Sequence, residues 1–143
     1  MRLIRRNRLP LFTIASTVAL GAALAIAAGK KEEWKAPAAD AAKKNPVAAS
    51  DESLAAGKES YEGGCADCHG LTGKNDGKKI SELKPEEKER MTPLDDPSVA
   101  KQSDGELFWK IANGKKPMPA GKKLMEDDEM WNIVNYIRTF GKK

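Results

Sequence analysis

Apolar positions recur at helical spacing in three separated stretches of the chain, and no stretch of convincing length alternates as a strand requires. The first covers residues 51–62, with Ser50 as N-cap and Leu54, Gly57, Lys58 and Tyr61 on one face. The second opens with "SDGE", a capping box in which Ser103 and Glu106 can satisfy each other's backbone donors. It runs through "LFWKIA" and stops at Asn113-Gly114. The third opens in the acidic cluster "EDDE", favourable at a helix N-terminus, and continues through "MWNIVNYIRTF". Met130, Ile133, Val134, Ile137 and Phe140 form its apolar stripe. Between the first and second lies a long stretch punctuated by Gly, Lys and Pro, in which "KPEEKER" predicts a short exposed helix. The pattern predicts an all-α domain over residues 50–143, with three or four helices and much loop. That is a thin core for such a length, so something other than side chains is expected to fill its middle.

Ahead of this domain the character changes twice. Residues 30–49, "KKEEWKAPAADAAKKNPVAA", have no hydrophobic period and read as a flexible Ala/Lys/Pro linker. Residues 1–29 combine Arg2, Arg5, Arg6 and Arg8 with an uncharged run from Leu9 to Gly29 that ends near Ala25-Ile26-Ala27. This is the anatomy of a secretory signal, and its 21 residues also reach roughly 30 Å as a helix, enough for a membrane anchor. Cleavage and retention both remain open. In either case the arginines hold the N-terminal side in the cytoplasm, and the domain is expected on the periplasmic side of a bacterial cytoplasmic membrane.

Charge then alters the picture by what it removes. The net charge of +4 resides in the four leader arginines, since 21 basic and 21 acidic residues balance from Lys30 onward. A neutral body gives no footprint for nucleic acid, and none is expected as a partner.

The chemistry sits in "GGCADCHG", residues 63–70, which holds both cysteines and the only histidine. A redox dithiol of the thioredoxin kind needs a strand before its helix, and none is present. A closed zinc site needs four ligands, whereas Cys65, Cys68 and His69 are three, two of them adjacent and divergent. A disulfide across C-x-x-C would close too little chain to stabilise much. Covalent haem uses every residue: two thiols add to the two vinyl groups of a porphyrin, and the following imidazole ligates iron.

With one histidine, a second imidazole is excluded as the sixth ligand. Met130 belongs to the apolar stripe and reads as core. Met118 stands in "KKPMPAG" between Pro117 and Pro119, which bias it toward a stiff extended loop suited to presenting a thioether. Met91 and Met125 are alternatives, as is an open or lysine-ligated iron.

Taken together, "CADCHG", "SDGELFWKIANGKKPMP" and "MWNIVNYIRTF" resemble a class I c-type cytochrome over nearly all of residues 50–143. The resemblance implies a small fold wrapped around one haem c, attached through Cys65 and Cys68, with His69 and Met118 as axial ligands. It implies that Gly57 and Tyr61 pack the first helix across the last one, against Ile133 and Tyr136. "GLTGKNDGKK" resembles the Gly-rich segment after the haem site, with Asn75 where glycine is common. The lysine-rich stretch from Lys78 to Arg90 departs from the pattern. The function implied is one-electron transfer between redox proteins, by a carrier and not an enzyme. An electron-entry subunit of a larger oxidoreductase and an open-site haem enzyme or gas-binding protein are the alternatives. Lys74, Lys78 and Lys79, together with Lys115, Lys116, Lys122 and Lys123, border the expected haem and suggest acidic docking partners.

Overall fold

The computed structural model describes residues 34–141; the leader, 1–29, and the first residues of the expected linker lie outside them. In chain order the helices are α1 (Ala38–Ala41), α2 (Asp51–Ser60), α3 (Ala66–His69), α4 (Pro85–Lys88), α5 (Pro97–Ala100), α6 (Asp104–Asn113) and α7 (Asp127–Ile137). Among the described residues there is no strand, only an isolated bridge between Lys115 and Met118. None of the described helices is long and apolar enough to cross a membrane.

The Ser50 hydroxyl caps α2 by accepting from the Ser53 amide at 3.3 Å. The helix does not stop near Glu62: Tyr61–Cys65 continue it with the wider π spacing, and α3 follows directly. Gly63 and Gly64 are exposed and meet nothing that would break the run. The buried face of α2 is Ser53, Gly57 and Tyr61, with Leu54 half-buried and Lys58 in solvent. The face is turned toward Ser53 because its hydroxyl has partners inside, Asn132 Oδ1 at 2.7 Å and Asn135 Nδ2 at 2.8 Å.

Helix α2 crosses α7 at Gly57. A Cβ there would collide with the Asn132 carbonyl, lying 2.6 Å from its carbon and 3.1 Å from Tyr136 Cβ, so only glycine lets the two backbones meet. One turn on, the Tyr61 ring is fully buried within ring contact of Tyr136 (5.4 Å) and Phe140 (5.3 Å). Gly57 and Tyr61 thus meet α7 as expected, through Asn132 and Tyr136, while Ile133 lies in the core beside them.

Caps set α6 and α7. Ser103 Oγ accepts from the Glu106 amide at 3.1 Å, but the predicted box is only half made. The Glu106 carboxylate pairs with Lys110 at 2.8 Å, and the Ser103 hydroxyl donates to the Ala41 carbonyl at 2.6 Å. Glu126 and Glu129 close a box at the head of α7, where Glu129 accepts from the Glu126 amide at 2.9 Å. Met130, Ile133, Val134 and Ile137 are buried as the stripe predicts, with Phe140 half-buried just beyond the helix. Arg138 ties the two helices, giving Nε and Nη2 to Asp104 Oδ1 at 2.9 and 2.7 Å. The segment "KPEEKER" yields the short α4, with Pro85 at its first turn.

Residues 34–49 correct the expectation of a flexible linker, because they lie against the domain. Trp34 packs on Trp109 with ring centroids 6.4 Å apart, and Lys110 sits over the Trp34 ring. Asn45 donates to the Trp131 carbonyl (3.1 Å) and to Asn135 Oδ1 (2.8 Å), and the buried Asn135 amide donates in return to Val47 O at 3.1 Å. A strap with no apolar period is held by polar groups that would otherwise be buried unpaired, which is why hydropathy does not reveal it.

Among the described residues, eleven buried apolar residues make the core, two of them alanine. The core is as thin as the sequence suggests.

Candidate haem site

Cys65 ends the π segment and Cys68 lies in α3, three residues on, so the two thiols project from one helix a turn apart. They are not bonded to each other, and both are half-buried. Cys65 packs against the core, and burial pushes its thiol up to about 11, so it is protonated at neutral pH. Asp67, between the cysteines, turns outward and holds Lys79 (2.8 Å) and Lys78 (3.0 Å), which lower its pKa in that order. This ties the helix to the 3-10 turn Lys78–Glu82.

His69 follows at the end of α3. Burial lowers its pKa, against the opposing hydrogen bond to Asn75, which leaves a neutral imidazole able to serve as a ligand. Its Nδ1 lies 3.2 Å from Asn75 Oδ1, so Nε2 is the nitrogen left for a metal. The Tyr61 hydroxyl, donating to the Gly70 carbonyl at 2.7 Å, anchors the chain just after the histidine to the α2/α7 contact.

Met118 lies on a separate segment. Its amide donates to the Lys115 carbonyl at 2.9 Å, closing a tight turn through Lys116 and Pro117, and Met118 itself pairs with Lys115 in an isolated bridge. The turn rests on Gly114, at φ +61°, where a Cβ would lie 2.6 Å from the Met118 carbonyl oxygen and collide with Pro119. Met118 is half-buried and packs on the same core as Cys65. Among the described residues no hydrogen bond joins its turn to the segment bearing Cys65, Cys68 and His69. Met125 is half-buried beside the core, and the Met91 carbonyl is bonded to Asn75 on the Nδ1 side of His69, the side turned from any metal at Nε2.

These residues fit a covalently held haem. Two unpaired thiols and a neutral imidazole share one helical run, and the large apolar side chains left exposed are Leu71 (63%) and Leu124 (67%), one just beyond His69 and one beyond Met118. Among the described residues, no three His, Cys, Asp or Glu side chains converge on a metal site of another kind. Asn75 is the participant that sequence reading passed over. It stood out only as a departure from glycine, although its left-handed backbone, φ +58°, is one that asparagine tolerates.

Comparison with curated proteins gives no match. A family model, Cytochrome c, matches residues 54–141. That span covers more than half of the sequence and includes the attachment helix, the Met118 turn and the α2/α7 crossing. The all-α fold and the thiol and imidazole set agree with it, and the family implies covalently attached haem c and haem-based electron transfer: this chain belongs to the cytochrome c family.

Proposed function

We propose that the protein is a one-electron carrier with a single haem c, joined through Cys65 and Cys68 and ligated by His69 and Met118. The observation that carries this reading is the helical run that presents both thiols and a neutral His69 whose Nε2 has no partner among the described residues. Haem bound this way would supply an iron centre for one-electron transfer. Cys65 and Cys68 would hold it, each thiol giving its sulfur and its hydrogen to one vinyl group so that nothing leaves. His69 Nε2 and the Met118 thioether, steadied by its turn on Gly114, would ligate the iron.

Met118→Ala is expected to keep the haem, lose the far-red absorption band that methionine sulfur gives ferric haem, lower the reduction potential and admit carbon monoxide or cyanide. Met91→Ala and Met125→Ala are expected to do none of these. An unchanged spectrum in the Met118 variant would move the ligand elsewhere. Rapid ligand binding by the unmutated protein would instead support an open-site haem.

The setting is proposed from the leader: a domain on the periplasmic side of a bacterial cytoplasmic membrane, tethered or released, exchanging electrons with redox proteins. Lys78 and Lys79 are engaged with Asp67, and Lys122 donates to Asn113 at 2.9 Å. Lys74, Lys115, Lys116 and Lys123 are exposed around the two segments. Exposed positive charge of this kind suits an acidic partner. The double charge reversal Lys115→Glu/Lys116→Glu is expected to slow electron transfer to an acidic acceptor about tenfold at low salt, an effect that fades as ionic strength rises. Stopped-flow rates indifferent to both changes would reduce these lysines to a solubilising role.

A further inference from the structure

Asn75 is held from three directions. Its amide N–H donates to the His69 carbonyl at 2.9 Å, its side-chain nitrogen donates to the Met91 carbonyl at 3.0 Å, and its side-chain oxygen lies 3.2 Å from His69 Nδ1. The Met91 carbonyl can only accept, so the NH2 of the amide must face it and the oxygen must face the ring. The ring nitrogen opposite an acceptor must in turn carry the proton. One backbone carbonyl, sixteen residues along the chain, thereby fixes the orientation of the amide and with it the tautomer of the histidine.

We propose that Asn75 is the positioning residue of the axial ligand: its side-chain oxygen orients the His69 ring, holds the proton on Nδ1 and raises the donor strength of Nε2 toward haem iron. The proposal rests on His69 being an iron ligand. A hydrogen bond to the remote nitrogen makes an imidazole a stronger donor and stabilises the ferric state relative to the ferrous. The Met91 linkage gives the lysine-rich stretch from Lys78 to Arg90 a defined root beside the ligand, so this departure from the family pattern closes on His69.

The backbone of Asn75 makes the test clean. At φ +58° glycine is at ease, so Asn75→Gly removes the amide without straining the turn, whereas Asn75→Asp keeps an acceptor and adds charge. Both variants are compared with the unmutated holoprotein by redox titration and by NMR of protein labelled with 15N-histidine. Asn75→Gly is expected to raise the midpoint potential and to speed solvent exchange of the Nδ1 proton about five- to tenfold, the worth of one hydrogen bond. Asn75→Asp is expected to lower the potential and keep the proton protected. A potential and an exchange rate in Asn75→Gly equal to those of the unmutated protein, with His69 Nε2 still showing the shift of an iron-bound nitrogen, would overturn the proposal alone. A His69 Nε2 signal without that shift in any of the three proteins would instead overturn the assignment of the ligand.

Discussion

Gly57→Ala is expected to destabilise the folded protein by about 3 kcal/mol, although in an open helix the same change stabilises by up to about 1 kcal/mol. The sign reverses because the added methyl meets the Asn132 carbonyl, 2.6 Å from its carbon and 3.1 Å from Tyr136 Cβ. A flexible side chain could turn aside, but a helical backbone cannot, so α2 and α7 must separate and the Ser53 and Tyr61 contacts on either side loosen with them. Such a loss corresponds to a fall in Tm of roughly 10–20 °C for a domain of this size, measurable by thermal unfolding of the holoprotein followed by circular dichroism. A Tm equal to or above that of the unmutated protein would show that the two helices do not meet at this residue.

The other large effect concerns the thiols. Cys65→Ala and Cys68→Ala are each expected to leave the haem held by one thioether, and the double variant to lose covalent haem altogether, as read by acid–acetone extraction and intact mass. Loss of haem is expected to take the helicity with it. Eleven buried apolar side chains are few against the 108 described residues, each costing about 1–2 kcal/mol of backbone entropy. Leu71 and Leu124 would remain uncovered. A double variant that still held its haem against acid–acetone extraction would dismiss these cysteines as the attachment points. A double variant with native far-UV circular dichroism would show that the side chains suffice.

Much of this was legible before any coordinates. Caps and periodic apolar residues disclosed α6 and α7, and the spacing of Cys65, Cys68 and His69 pointed to the covalent haem that the family match implies, because both signals are local in sequence. Long-range polar contacts were not legible. Ser53 and Asn135 lie in the core although their side chains are polar, since each completes the other's hydrogen bonding across 82 residues. The first helical stretch was read as ending at residue 62, whereas Tyr61–Cys65 continue it and the Tyr61 bond to Gly70 fastens the run beyond Gly63 and Gly64. Asn75 escaped because its two partners, His69 and Met91, reveal its part only when brought together.

The docked strap bears on how such a domain can be exchanged between proteins. The family match begins at residue 54, yet Asn135 in the last turn of α7 finds its companions at Asn45, Val47 and Ser53. A graft cut at the boundary of the match would carry the haem-binding motif intact and leave behind the groups that complete a buried amide. The matched span and the physical unit differ in length, and the portable unit in a chimaera is one that also carries Asn45 and Val47.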